Sequence, residues 1–370
     1  MDSTLYRRPL PAGTIAFSSQ EGRAIFADAL AHGGLDGYFP LAEQFHTQAE
    51  PAFCGLGSLV MALNALAIDP GRLWKGPWRW FAEDLLDCCV PLEQVRARGL
   101  DLDELACLAR CNGAAVEATR AAPTPANLDA FRADLLRAAR AESVLVAAYD
   151  RAAHGQRGSG HFSPLGGIHA ARDLVLVLDV ARFKYPPHWV STELLWRAMQ
   201  PIDVATGHPR GWLTLRGRGQ GIALGYSIRC AGESWQGLAR RFAAAATELS
   251  RAPDLAALAR ATAPLVEHVE LRTPQAPAHR QALEDARAAL REHPVYAAAL
   301  EAVGGEPAET VTLLLLVMAE LLEPGQRALL GAPAAAGLAE ELENLRAQLA
   351  AVASIRSAVA PAAEPVTRLS

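Results

Sequence analysis

The sequence predicts an α+β region followed by a mainly helical one, on three observations. A helix-length apolar run, residues 51–66, precedes short aliphatic and β-branched runs at 143–149, 161–168 and 174–181. Six of the seven Trp, nine of the ten Phe and five of the six Cys fall within residues 1–220. Beyond that point Ala and Leu dominate, and both cost little conformational freedom in a helix.

Taken in order, the run Pro51 to Leu66 reads as a buried helix with Pro51 in its first turn, where a missing N–H costs nothing. Asp69-Pro70-Gly71 stops it. Segment 83–111 reads as helix with breaks at Cys89-Val90-Pro91 and near Gly99. SVLVAAY, HFSPLGGI and LVLVLDVA read as strands. The short connection His169 to Asp173 predicts a hairpin folded about residue 170, which sets His161 opposite Asp179 on one face. GWLTLRGRGQG, residues 211–221, reads as a last strand and a link. LARRFAAAATEL and HRQALEDARAALREH follow as helices, and the tail PAAEPVTRLS as a frayed end.

The chain has 370 residues, with 35 basic and 40 acidic side chains and a net charge of −5. That balance argues against broad attraction to nucleic acid or an anionic membrane. Its longest strongly apolar run, Leu313 to Ala319, is far short of the roughly 20 residues that span a bilayer. With no secretory signal in view, although Arg7 and Arg8 stand near the start, the expected compartment is the cytoplasm, with thiols kept reduced.

Four residues suggest chemistry. Cys54 stands near a helix start, where unpaired N–H groups favour a thiolate; from local sequence alone it also reads as a small buried hydrophobe. His161 follows a Gly-containing loop and opens a strand. Asp179, near the end of an aliphatic strand, needs a partner, and a purely structural hydrogen bond between the two stays open. Gln48, six residues before Cys54, places an amide where it could face the oxygen of a tetrahedral intermediate. Cys, His, Asp and Gln in this arrangement describe acyl transfer through a thioester.

The stretches QAEPAFCGLGSLVMALNALAIDPGRLWKGPWRWF, LLDCCVPLE and GSGHFSPLGGIHAARDLVLVLDVARFKYPPHWV resemble the phytochelatin synthases, glutathione γ-glutamylcysteinyltransferases with a papain-like cysteine-protease fold. The resemblance covers roughly residues 5–220. It implies a catalytic domain over 1–220 and a helical domain of open role over 221–370. It also implies Cys54 as nucleophile, His161 as base, Asp179 as its orienting acid and Gln48 as oxyanion donor. The implied reaction moves γ-Glu-Cys from glutathione to glutathione or a phytochelatin and releases glycine, in heavy-metal detoxification. Hydrolysis of glutathione or its S-conjugates is the alternative on the same residues, and a non-catalytic thiolate metal-binding module is the alternative from another class. Arg182, Lys184 and Tyr185 correspond to a glutathione-binding segment, with Arg182 and Lys184 expected on one side of a strand, and Arg151 to a basic residue of the acceptor site.

No organic cofactor is implied. Cd²⁺ or Zn²⁺ enters as an activator, mainly inside a metal–glutathione thiolate substrate. Cys88, Cys89, Cys107 and Cys111 are the candidates for a protein-bound metal, although adjacent cysteines on a regular helix cannot easily share one ion. Glutathione, its metal complex and phytochelatin peptides are the expected partners, and a homodimer is left open. The region after residue 220 contains only Cys230, which argues against a dense thiolate sensor there.

Overall fold

The computed structural model describes residues 6–217, 227–230, 235–272, 277–305, 307–319, 322–331 and 336–348. The expected boundary at 220/221, the link after residue 217 and the tail 361–370 lie outside the described residues. The chain divides into two compact units, Met1–Ser227 with Thr273–Leu283, and Ile228–Arg272 with Glu284–Ser370.

The first unit opens with strand β1 (Thr14–Ala16), helix α1 (Gln20–Ala31) and helix α2 (Tyr38–Glu43). Ser19 caps α1 by accepting the Gly22 N–H at 3.0 Å. Helix α3 (Cys54–Ala65) follows, then α4 (Leu92–Arg98) and α5 (Leu102–Cys111). A reciprocal capping box of Asp101 and Glu104 starts α5. Next come β2 (Ala114–Arg120), α6 (Pro125–Ala139), β3 (Val144–Asp150), β4 (Gly160–His169), β5 (Leu174–Val177) and β6 (His188–Ser191). The unit continues with α7 (Thr192–Ala198), a short hairpin of β7 (Ile202–Asp203) and β8 (His208–Pro209), and β9 (Gly211–Gly217).

Seven strands form one antiparallel sheet in the order β1-β6-β5-β4-β3-β9-β2. Phe131 and Leu135 of α6 and Leu195 and Trp196 of α7 join Leu145, Val175 and Trp212 of the sheet in one core cluster. Burying each such side chain contributes about 1.5–3 kcal/mol. The Trp212 indole N–H reaches a partner inside that core, Asp134 Oδ2, at 2.7 Å. Helix α3 packs against β3 and β4. Every residue from Gly55 to Leu63 is buried, so its uniformly apolar sequence suits a helix covered on all sides.

Three sequence expectations are corrected. Helix α3 begins at Cys54, not Pro51, because residues 51–53 form a turn in which the Phe53 N–H bonds the Glu50 carbonyl at 3.0 Å. Cys54 is therefore the first helical residue. Segment 83–91 is not helix: one 3₁₀ turn, Glu83–Leu85, leads into bends through Cys88, Cys89 and Val90. The predicted break at Gly99 is present, at φ +75°, a conformation open to glycine.

The third correction concerns the hairpin. Its turn is wider than a fold about residue 170, with a 3₁₀ turn over Ala170–Arg172 and Asp173 in the left-handed region, so His169 pairs with Leu174. A bulge then shifts the register between Leu165 and Gly167. Gly167 has φ +145°, and a Cβ there would meet Leu35 Cδ2 at 2.5 Å. Strand β5 ends at Val177, so Asp179 lies beyond the ladder rather than opposite His161 within it.

The second unit contains a two-stranded sheet of β10 (Ser227–Cys230) and β11 (Val269–Arg272). Its helices are α8 (Trp235–Ser250), α9 (Leu255–Val266), α10 (Pro277–Glu292, whose first turns belong to the first unit), α11 (Pro294–Val303), α12 (Pro307–Val317), α13 (Pro324–Leu329) and α14 (Ala336–Gln348). Helices α9, α11 and α12 pack on one another. Two buried threonines in this core, Thr262 and Thr312, bond the carbonyls four residues back at 2.9 and 2.6 Å. Among the described residues, no helix is long and apolar enough to cross a membrane.

Candidate active site

Cys54 is half-buried at the first position of α3. Its backbone N–H belongs to the set that has no partner within the helix, and the dipole there favours a negative sulfur. Burial opposes the thiolate. The charge and hydrogen bond of the His161 ring, the Phe162 N–H and the Arg151 guanidinium outweigh it, so the thiol sits below its ordinary value.

His161, at the start of β4, is 5 % exposed. Its Nε2 stands 2.8 Å from Asp179 Oδ1, which leaves Nδ1 as the ring nitrogen for Cys54. Asp179 is fully buried, which alone would raise its pKa, but His161 and Arg151 hold it well below the usual carboxylate range. Burial lowers the His161 pKa and Asp179 raises it, with a net rise. Cys54 and His161 are thus biased toward a thiolate–imidazolium pair. Although the hairpin register differs from expectation, the two side chains meet. Past Val177 the chain stays close to β4, with the Leu178 N–H on the Pro164 carbonyl at 3.0 Å, and the Ala181 N–H then bonds Asp179 Oδ1 at 2.9 Å.

Arg151, expected at the acceptor site, is 3 % exposed and paired with Asp179. Its two terminal nitrogens stand 3.0 Å from the two Asp179 oxygens. Gln156 Oε1 accepts from it as well, and Tyr185 lies under the guanidinium with its ring centre 5.2 Å away. The Tyr185 hydroxyl accepts the Arg157 N–H at 2.9 Å, which ties the loop between β3 and β4 to the segment after Asp179.

Gln48 is buried, with its amide nitrogen donating to the Glu50 and Pro51 carbonyls at 2.7 and 2.9 Å. Both amide hydrogens therefore hold the turn before α3, and exchanging O and N would set three acceptors together. Beneath this turn Glu83 accepts the Ala49 N–H at 2.9 Å and faces His46 Nε2 at 3.4 Å. The carboxylate fits because Gly57 lacks a side chain; a Cβ there would stand 2.9 Å from Glu83 Oε1.

Residues 182–184 form a turn rather than the expected strand, with the Lys184 N–H on the Ala181 carbonyl at 2.7 Å. Arg182 is exposed and lies over the Phe45 ring, 4.7 Å from its centre. Lys184 is half-buried, and burial together with Arg151 and Arg8 lowers its pKa. The N-terminal segment runs alongside, with the Arg8 N–H donating to the Lys184 carbonyl at 2.9 Å. Among the described residues no carboxylate lies within 4 Å of the charged ends of Arg8, Arg182 or Lys184.

Sequence reasoning missed that Arg8 lies beside Lys184, since nothing local predicts that the chain start pairs with residues 183–184. It also missed a buried row behind the base. Tyr149 packs edge-on to His161 at 5.6 Å, and its hydroxyl meets Ser163 Oγ at 3.2 Å. His154 packs on Tyr149 and faces His188 across 3.1 Å between their Nε2 atoms. His188 Nδ1 donates to the Pro186 carbonyl, so its Nε2 accepts and His154 Nε2 donates. Burial, with His188 and Arg151 nearby, pushes His154 down to about 3, so it stays neutral.

The four metal-candidate cysteines are also brought together. Cys88 and Cys111 form a disulfide, contrary to the expectation of reduced thiols, and Cys89 and Cys107 are buried beside them.

A helix-terminal thiol, an imidazole and a buried carboxylate form an arrangement that suits acyl transfer through a cysteine nucleophile. A family model described as phytochelatin synthase matches residues 5–212, and the chain belongs to the phytochelatin synthase family. Curated relatives agree. Glutathione gamma-glutamylcysteinyltransferase 1 of Triticum aestivum is 50 % identical over 240 residues, 64 % of this chain and 48 % of the relative. The protein of that name from Arabidopsis thaliana is 49 % identical, over 64 % of this chain and 49 % of its own length. Glutathione gamma-glutamylcysteinyltransferase of Schizosaccharomyces pombe is 45 % identical over 216 residues, 58 % of this chain and 52 % of the relative. The chain spans about half the length of these relatives.

Proposed function

We propose that this chain transfers the γ-glutamylcysteinyl group of glutathione to a second glutathione or a phytochelatin through a Cys54 thioester, on a papain-like catalytic unit. The observation that carries this reading is His161, its Nε2 2.8 Å from the buried Asp179 Oδ1, acting electrostatically on Cys54 at the start of α3. The names of the relatives supply the substrate class.

The Cys54 thiolate attacks the carbonyl carbon of the Cys–Gly amide. The Cys54 backbone N–H receives the resulting oxyanion, and Gln48 becomes a second donor by exchanging one of its carbonyl partners for that oxygen. The C–N bond then breaks. His161 Nδ1 delivers a proton to the departing glycine amine, leaving a thioester and a neutral imidazole. The α-amine of the acceptor attacks the thioester, His161 takes its surplus proton, and Cys54 departs as the thiolate. Asp179 holds the imidazole by Nε2 throughout.

Glutathione carries two carboxylates and one ammonium, so donor and acceptor together need cations. Arg8, Arg182 and Lys184 supply them, and Arg151 serves as the cation behind Asp179. Cadmium or zinc enters as the bis-glutathione thiolate, which is substrate. Mass analysis of the products from glutathione, with and without Cd²⁺, tests the reading. The expected products are glycine and (γ-Glu-Cys)₂-Gly, with the peptide increased by metal. Release of γ-Glu-Cys alone under both conditions would make the chain a hydrolase.

A further inference from the structure

The buried row behind the base has no task in the chemical steps. Tyr149 on β3 pairs with His161 on β4, and directly opposite residues of an antiparallel pair place their side chains on one face. Their rings stand 5.6 Å apart between centres, at 78° to each other. The Tyr149 hydroxyl reaches Ser163, two residues on from His161, at 3.2 Å. His154, in the loop after β3, packs on the phenol with ring centres 5.3 Å apart. His188 holds His154 across 3.1 Å, and the Pro186 carbonyl holds His188 at 3.0 Å. Tyr149, His154, His161, Ser163 and His188 are all buried.

An imidazole needs such a support, because the second side-chain torsion of histidine is broad. The contact of Nε2 with Asp179 fixes one end of the His161 ring and leaves its plane free to swing about that contact. Nδ1, which must meet Cys54, moves with the swing. A flat ring standing nearly perpendicular against the imidazole limits it. The phenol can do this because Ser163 and His154 fix its own orientation. Burial, with Asp179 nearby, pushes the phenol pKa up, so Tyr149 stays neutral and acts through its shape.

We propose that Tyr149 is a positioning residue that holds the His161 ring in the plane where Nε2 meets Asp179 and Nδ1 meets Cys54, with Ser163 and His154 holding Tyr149 in turn. This role rests on the proposed reading of Cys54 and His161 as nucleophile and base. The ring of Tyr149 therefore counts for more than its hydroxyl. A freed imidazole would pair less well with the Cys54 thiolate, and the thiol would ionise at higher pH.

The test compares full-length wild type, Tyr149→Leu, Tyr149→Phe and His161→Ala in two measurements. One is glycine release from glutathione with Cd²⁺. The other is the rate of Cys54 alkylation by iodoacetamide against pH, read by mass on the Cys54 peptide. The titratable groups around His161 are Cys54, Asp179, Arg151, His154 and His188, and the Tyr149 variants alter none of them. Wild type should alkylate well below the pH of an ordinary thiol, and His161→Ala should lose that advantage. Tyr149→Leu should lower kcat at least tenfold with KM within about twofold, and move the alkylation profile up by about one pH unit. Tyr149→Phe should stay within about threefold of wild type in kcat and leave the profile in place. Tyr149→Met, which fills the space without a rigid ring, takes the place of Tyr149→Leu if that variant does not fold. A merely structural role would lower the melting temperature and leave the profile of the folded protein unmoved. That result, or equal damage from Tyr149→Phe and Tyr149→Leu, would overturn the proposal while a shifted profile in His161→Ala keeps the base. An unshifted profile in His161→Ala would overturn both.

Discussion

Arg151 grips Asp179 through both terminal guanidinium nitrogens, each 3.0 Å from a carboxylate oxygen, while His161 takes one of those oxygens from another side at 2.8 Å. A buried carboxylate is thereby kept charged by one permanent cation, Arg151, and by the His161 imidazolium of the resting thiolate–imidazolium pair. Removing the permanent partner outright would strand a buried charge, at about 3–5 kcal/mol. Arg151→Lys keeps the charge and loses the two-pronged grip. We expect it to slow glycine release at least tenfold, with the ratio of γ-Glu-Cys to (γ-Glu-Cys)₂-Gly unchanged. Normal glycine release with a raised ratio would return Arg151 to the acceptor site.

Gln48 holds the turn before α3, and in the proposed reaction it also serves the oxyanion. Gln48→Glu keeps the shape and replaces the donating nitrogen by oxygen. The expected loss in kcat is about 10²–10³-fold with KM little changed, as for removal of one oxyanion donor. A variant with unchanged kcat and a lower melting temperature would leave Gln48 with the structural task alone.

Gly57 admits Glu83 beneath that same turn. In Gly57→Ala the new methyl, 2.9 Å from Glu83 Oε1, displaces a carboxylate already held by the Ala49 N–H. Overpacking of this kind costs about 1–3 kcal/mol. Turnover should fall about tenfold. Glu83→Gln, which keeps one acceptor, should do less harm. Full activity in Gly57→Ala would show that the turn does not depend on Glu83.

His154 makes the fold sensitive to acid. Its folded pKa of about 3 lies below the ordinary histidine value of 6.5, so the unfolded chain binds more protons between those values. Stability is therefore present above about pH 6.5 and falls as pH drops toward 3, by roughly 3–5 kcal/mol over that span. His154→Leu should narrow the difference between urea midpoints at pH 7 and pH 5. An unchanged difference would place the acid sensitivity elsewhere.

Much of the site is legible in sequence because its parts sit where local rules act. Cys54 is at a helix start, His161 opens a strand, and Gln48 is one turn upstream. What escaped depends on contacts distant in sequence. Arg8 reaches Lys184 through backbone pairing of the chain start with residues 183–184. Arg151 reads as a loop cation until Asp179, 28 residues later, folds against it. The hairpin register failed by a turn length and a bulge, neither of which alternation in the strands encodes. The row of His154 and His188 follows no period because His154 lies in the loop after β3 and His188 opens β6, 34 residues later.

The central claim is a γ-glutamylcysteinyl thioester on Cys54, and rapid acid quenching with intact-mass and peptide analysis tests it directly. With glutathione and Cd²⁺, the protein should gain one γ-glutamylcysteinyl group, located on the peptide containing Cys54. The adduct should be absent in Cys54→Ser, together with glycine release. Glycine release at a near-normal rate by Cys54→Ser, or an adduct confined to another residue, would contradict it.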